Sequence, residues 1–105
     1  MEVSKRDWKL FRVKIAEWQE SYMERLVKEY IELLSGTGMA SEKWWELDKR
    51  IRKDRKNPGV IIELNKGDMI YDVTYMIRLG VITLDDLEDF SDEFRESVAF
   101  LLNRF

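Results

Sequence analysis

Residues 8–34 read WKLFRVKIAEWQESYMERLVKEYIELL, a stretch without glycine or proline. Its apolar side chains recur every three or four positions, which is the spacing of an α-helix that packs along one side. The apolar stripe is narrow as far as Tyr22 and widens beyond it, and its members are Trp8, Phe11, Ile15, Trp18, Tyr22, Met23, Leu26, Val27, Tyr30, Ile31, Leu33 and Leu34. The pattern predicts one helix of about 30 residues that begins at a capping box of Ser4 and Asp7 and ends at SGTG, residues 35–38.

A second helix is predicted between this break and the Asn-Pro-Gly at 57–59. Ser41 is its expected N-cap, and the helix must stop at 57–59 because proline disfavours helix in the residue before it and glycine favours a turn. Trp44, Leu47 and Ile51 recur at helical spacing, so we expect them to face the core. Since the loop between the two helices is short, they should form an antiparallel hairpin.

Three shorter helices are predicted in the C-terminal part. Asn65 is the expected cap of the first, which Gly80 ends; Thr83 and Asp86 form a capping box for the second; and Ser91 caps the third. The apolar side of the last helix consists of Phe94, Val98, Leu101, Leu102 and Phe105. We expect these helices to form a compact group that packs on the wide, C-terminal half of the first helix.

The predicted fold is therefore all-α, a single helical domain over residues 1–105 with a hairpin at 1–57 and a C-terminal helical part at 58–105. The segment 60–64 is ambiguous, because Val60, Ile62 and Leu64 alternate as in a β-strand but the chain offers no partner strand. Two alternatives remain: an extended segment against the core, or an edge strand that pairs with another copy.

Two stretches, DWKLFRVKIAEWQESYMERLVKEYIELL at 7–34 and LGVITLDDLEDFSDEFRESVAFLL at 79–102, resemble a family of small uncharacterised bacterial proteins of about this length. Some members of that family carry a drug-transporter label. This chain contradicts the label, because its longest apolar run, VAFLL at 98–102, is far shorter than the ~20 residues that a membrane span requires. The resemblance implies no mechanism, cofactor or catalytic residue.

The composition argues against catalysis. The chain has no cysteine, which excludes disulfides, metal–thiolate sites and cysteine nucleophiles, and no histidine, the commonest general base and transition-metal ligand. We expect a protein that is not an enzyme, with no catalytic residue, cofactor or metal site. With no apolar leader at the start of the sequence, we also expect a cytoplasmic location.

Charge is distributed unevenly along the chain. Residues 49–56 contain six basic residues and one acid, whereas 85–96 contain seven acids and one arginine. Lys49, Arg52, Lys53 and Lys56 are candidate anion-binding residues, since basic clusters neutralise phosphates. Alternatively, the basic run is a solvated helix end that the helix dipole favours, or it meets the acidic segment within the fold or between copies.

Two aromatic residues lie away from the apolar side of their helices. Trp45 follows Trp44 by one position, and Phe100 lies on the side of the last helix away from Phe94. Together with Val60 and Ile62 they are candidate interface residues, because exposed aromatic side chains often anchor protein contacts. The leading hypothesis is a non-catalytic protein that acts through protein–protein contact or self-association, as a homodimer. The alternatives are a nucleic-acid-binding accessory protein that uses 49–56, and a small-molecule binding module in the helical core.

Overall fold

The computed structural model describes residues 2–104 and confirms the all-α fold. The described residues form four α-helices and no strand: α1 (Lys5–Ser35), α2 (Ala40–Asp54), α3 (Met69–Arg78) and α4 (Asp92–Arg104). Two 3-10 turns, Lys66–Asp68 and Leu84–Leu87, precede α3 and α4. The middle one of the three short helices expected in the C-terminal part is thus a single 3-10 turn. Phe105 lies outside the described residues.

The chain divides into two compact units. The first, here called the aromatic unit, combines the residues up to Trp18 with those from Glu63 onward, and the second, the hairpin unit, comprises Gln19–Ile62. The first half of α1 therefore belongs to the aromatic unit and its second half to the hairpin unit. The division at residue 57 that the sequence suggested falls inside the hairpin unit.

A row of stacked and tilted rings forms the core of the aromatic unit. Centroid distances are 6.1 Å from Phe11 to Trp18, 6.0 Å from Trp18 to Phe90 and 5.2 Å from Phe90 to Phe94. The expectation that the C-terminal helices pack on the wide half of α1 is wrong, since their core is built on its first half. The reason is that the narrow stripe carries the large rings, which bury more apolar area per position than the aliphatic residues of the wider arc.

Side-chain and glycine caps set the ends of the helices in this unit. The Ser4 hydroxyl accepts a hydrogen bond from the Asp7 amide at 3.1 Å, and the Ser91 hydroxyl accepts one from the Phe94 amide at 3.2 Å. α3 ends at Gly80, which has φ 76°, and the Val81 amide donates to the Met76 carbonyl at 2.9 Å. This is a Schellman motif, in which glycine adopts a left-handed conformation that costs other residues energy.

The helix caps predicted at Thr83, Asn65 and Ser41 have different outcomes. Thr83 donates its backbone N–H to the Asp86 carboxylate at 2.8 Å and so completes its box, at the start of the 3-10 turn. Asn65 also caps its turn, by accepting a hydrogen bond from the Gly67 amide at 2.9 Å. α2 begins at Ala40, so Ser41 lies inside its first turn and is not the cap; the N-cap residue, Met39, makes no side-chain cap bond.

The segment 60–64 forms no strand within the described chain. Both Val60 and Ile61 donate their backbone N–H to the Asn57 carbonyl, at 2.9 and 3.0 Å, which closes the turn after α2. Gly59 in this turn lies against the Tyr22 ring, where an added Cβ would lie less than 3 Å from three ring carbons. The turn thus fixes the chain leaving α2 against α1 within the hairpin unit.

Candidate interaction surface

Polar and aromatic side chains hold the two helices of the hairpin unit together. Tyr30 on α1 donates its hydroxyl to Asp54 on α2 at 2.5 Å. Arg50 bonds Glu29 at 3.1 Å, lies 3.6 Å from Asp54, and places its guanidinium 5.5 Å from the centre of the Tyr30 ring. At the far end of α2, Asn57 donates to the Tyr22 hydroxyl at 3.0 Å. The seam between α1 and α2 thus contains a hydrogen-bonded network beside the buried side chain of Leu26.

The network keeps the seam tyrosines in their neutral form. Burial and the hydrogen bond to Asp54 raise the pKa of Tyr30 to about 12. Burial, together with the negative charge of Asp54, also raises the pKa of Tyr22. Each hydroxyl consequently loses its proton at a higher pH than an unperturbed tyrosine does, and that of Tyr30 remains a hydrogen-bond donor to the carboxylate until then.

α2 turns its apolar stripe away from this seam. Arg50 and Asp54 reach α1, whereas Trp44 is 69% exposed and Ile51 is 38% exposed. The expectation that Trp44 and Ile51 face the core is therefore wrong. The physical reason is that the paired charges of Glu29, Arg50 and Asp54 occupy the contact side, and at about 100° per residue that side lies roughly 70° from the stripe. Not one residue of α2 is buried.

The second half of α1 carries a matching exposed stripe. Met23, Val27 and Leu34 lie within about 40° of one another around α1, and their side chains are 41%, 52% and 45% exposed. An apolar groove of about 240 Å³ places Met23 and Val27 beside Ile51, and a second cleft places Leu34 beside Trp44. Both stripes thus lie on the same side of the hairpin. We call this surface the hairpin face, and it consists of Met23, Val27, Leu34, Trp44, Leu47 and Ile51.

The two edges of the hairpin face carry opposite charge. Helical spacing places Glu20 and Glu24 on the edge of α1 that is far from α2, and both are exposed. Arg52 and Arg55 lie on the corresponding edge of α2 and are also exposed; Asp48 lies between them and pairs with Arg52, which leaves this edge with a net charge of +1. We call these pairs the acidic edge and the basic edge. Between them lie the apolar residues, so the surface has an apolar centre and a polar rim, as protein interfaces do.

Three of the four interface candidates lie in the hairpin unit. Trp45 is 65% exposed on the outer side of α2, whereas Val60 and Ile62 are half-buried, and Val60 also lines the apolar groove. Phe100 is exposed too, on α4 of the aromatic unit, where Arg104 lies over its ring. Sequence reasoning did not name the hairpin face itself. The widening of the apolar arc after Tyr22 is the available signal: it predicts burial by more than one neighbour and favours self-association, without showing which residues stay uncovered.

The candidate anion-binding residues are all exposed, and they lie on the outer side of α2 and in the turn that follows it. Arg52 is paired with Asp48, whereas Lys49, Lys53 and Lys56 form no ion pair with any described residue. Trp45, Lys49 and Arg52 follow one another at spacings of four and three, so they share one side of the helix. Part of the basic charge is thus neutralised along the helix, as i,i+4 pairing predicts.

The acids of 85–96 have local roles within the aromatic unit. Asp89 lies 3.6 Å from the Lys14 ammonium, Asp92 pairs with Arg95, and Asp86 caps the 3-10 turn. Over residues 2–104 no group of three or more acids is placed to hold a metal ion. In the same range, no helix combines the length and the apolar character needed to cross a bilayer.

Asp7 is the one charged side chain that is buried in the described chain, at 2% exposure. Its carboxylate accepts hydrogen bonds from the Ser91 backbone N–H at 3.0 Å and from the Ser91 hydroxyl at 2.6 Å. The pair lines a cleft of about 310 Å³ together with Ser4, Glu93 and Ser97. Because Ser91 also caps α4, the contact ties the start of α1 to the start of α4.

Comparisons with protein-family models, with curated proteins and with solved structures give no match to this chain.

Proposed function

We propose that this protein is non-catalytic and acts through protein–protein contact, by self-association as a homodimer through the hairpin face. The observation that carries the proposal is α2, which has an apolar stripe of Trp44, Leu47 and Ile51 but no buried residue. A helix of 15 residues is marginal in water on its own, and most helical stability in proteins comes from packing an apolar side. A partner on the hairpin face supplies that packing.

The size of the effect favours a specific contact over incidental exposure. Fully burying an exposed side chain of the size of leucine or valine contributes about 1.5–3 kcal/mol, and the hairpin face has six continuous apolar positions, of which all but the half-buried Leu47 are exposed. Trp44 is the largest side chain of the face, and tryptophan is enriched among the residues that dominate the energy of interfaces. Isolated apolar residues on a surface are ordinary, whereas continuous patches with a polar rim mark interaction sites.

The charge pattern favours a second copy as the partner. A surface with an acidic edge on one side and a basic edge on the other is complementary to itself, because a two-fold axis can place unlike edges together. A nucleic acid, in contrast, requires a continuous basic surface, and Glu20 and Glu24 beside the hairpin face would repel phosphates. Self-association therefore satisfies both the apolar centre and the two edges.

Sedimentation equilibrium over the micromolar range tests the proposal. The unmodified protein should approach the mass of a dimer as concentration rises, whereas Ile51→Glu should stay monomeric because it buries an unpaired charge. Tyr71→Glu, which introduces the same charge at a 67% exposed position on α3 of the aromatic unit, is the control and should still dimerise. A monomer at every concentration would overturn the proposal.

A labelled single-stranded oligonucleotide at low salt distinguishes the nucleic-acid alternative. Self-association predicts no binding to it. Binding that is lost in Lys53→Glu and falls steeply with added salt would instead assign 49–56 to phosphate contacts.

A further inference from the structure

We infer that the two copies pack with the second half of α1 of one copy antiparallel along α2 of the other, about a two-fold axis parallel to the helices. This inference rests on the proposed self-association and specifies its geometry. It assigns a function to the basic edge: Arg52 and Arg55 bind the acidic edge, Glu20 and Glu24, of the second copy.

Two symmetric arrangements can bury the hairpin face against itself. A two-fold axis parallel to the helices places α1 over the second copy's α2, whereas an axis across the helices places α1 over α1 and α2 over α2. Both are isologous, so the same patch is used twice in each. The apolar centre alone does not distinguish between them, because it consists of aliphatic and aromatic residues on both helices.

The position of each residue along the helix axes, here called its height, decides which charges meet. Met23 and Arg55 line the same groove, and Val27 and Ile51 lie one turn further along it. Glu24 is adjacent to Met23, so it lies at the height of Arg55, with Glu20 one turn beyond. A two-fold axis parallel to the helices leaves every height unchanged. It therefore brings Glu24 of one copy beside Arg52 and Arg55 of the other, with Glu20 about one turn from Arg55, and does so twice.

The alternative axis reverses the heights, because it turns each helix end for end. Both charged edges lie at the end of the hairpin away from the loop that joins α1 to α2, so they would fall opposite the other end of the second copy and stay unpaired. Only the parallel axis pairs the unlike charges, and charge complementarity therefore selects it. In the selected arrangement, Val27 and Ile51 of both copies form one layer of a four-helix bundle, and Leu34 and Trp44 of both form another.

The selected arrangement also gives Trp45 a contact. Helical spacing puts Ile31, which is exposed, on the same edge of α1 as Glu24. Along the hairpin its height is close to that of Trp45, since Leu34 lies beside Trp44. Ile31 of one copy thus lies next to Trp45 of the other, at the rim of the apolar centre. The exposed Trp45 then becomes a rim contact of the dimer rather than a separate site.

Charge reversal tests the arrangement. The variant Arg52→Glu/Arg55→Glu has two acidic edges and the variant Glu20→Lys/Glu24→Lys has two basic edges, so each alone should dimerise at least about tenfold more weakly. Mixed one to one, they should form a heterodimer, and the quadruple variant, with the edges exchanged, should dimerise as the unmodified protein does. Added salt should weaken the unmodified dimer.

Several results separate failure of the arrangement from failure of self-association. If the unmodified protein dimerises but salt strengthens it, or if both reversed variants dimerise normally, the parallel axis is wrong while self-association stands. If the unmodified protein is monomeric throughout, the proposed function itself fails, and this inference with it.

Cysteine cross-linking gives a second readout, because the chain has no cysteine of its own. A mixture of Glu24→Cys and Arg52→Cys chains should cross-link between the two variants under mild oxidation, whereas neither variant alone should do so. Absence of the mixed product in a sample that sedimentation shows to be dimeric would overturn the inference.

Discussion

Asp7 and Ser91 join distant parts of the sequence in the aromatic unit through two hydrogen bonds to one buried carboxylate. Asp7→Ala removes the acceptor and leaves the Ser91 amide without its partner, so the free energy of unfolding should fall by about 2–3 kcal/mol. Urea denaturation measures this. Asp89→Ala, at an exposed acid paired with Lys14, should cost less than about 1 kcal/mol. Equal losses in the two variants would contradict the structural role assigned to Asp7.

Because of Tyr30, the stability of the hairpin unit should fall at high pH. Its pKa is raised to about 12, above the ~10 of an unfolded chain, so the folded state holds this proton more tightly. The stabilisation is therefore complete below about pH 10 and is lost as the pH rises towards 12. Chemical denaturation from about pH 9 upward should show a decline that is shallower in Tyr30→Phe. Tyr75→Phe, at an exposed tyrosine of α3, should retain the full decline; if it matches Tyr30→Phe, the seam is not the cause.

At the level of the element, α2 begins without a side-chain cap, because Met39 occupies the N-cap position. Met39→Asp should supply an acceptor for the free amides of the first turn and a charge that complements the helix dipole, stabilising α2 by about 0.5–2 kcal/mol. Ser41→Ala tests whether the N-cap is Met39, as in the structure, or Ser41, as the sequence predicted. If Ser41 lies inside the helix, the change should be nearly neutral, whereas a cap would lose about 1 kcal/mol. Thermal denaturation followed by circular dichroism measures both.

The sequence predicted those elements whose limits depend on local chemistry. α1 was located to within a residue or two because no glycine or proline interrupts it before Gly36, and α3 ends as expected because Gly80 is free to adopt positive φ. The orientation of α2 could not be read in the same way. Its apolar stripe suggested a buried side, but the pairing of Arg50 with Glu29 depends on a tertiary contact that periodicity does not encode.

The candidate site was predictable only in part, for the same reason. Trp45 was named because it departs from the stripe, and it is exposed as that departure suggests. Val27 and Leu34 belong to the wide part of the arc, for which the sequence predicts burial by more than one neighbour. Whether such an arc is covered by the same chain or left open is a property of the whole fold. Here the C-terminal helices pack against the aromatic rings of the first half of α1.

For the molecule as a whole, the two units should differ in how their stability depends on protein concentration. The aromatic unit has its own core, whereas α2 has no buried residue and, under the proposed self-association, gains its packing from a second copy. Binding that involves only the folded state raises protection with the concentration of the partner, and opening can occur locally in one part of a chain. Amide hydrogen exchange of α2 should therefore slow as the concentration rises through the dimerisation range, while exchange in α3 and α4 stays constant. The variant Ile51→Glu should exchange rapidly in α2 at every concentration. Strong protection of α2 at concentrations where the protein is monomeric would show that the hairpin is stable without a second copy. The argument from α2 to self-association would then fail.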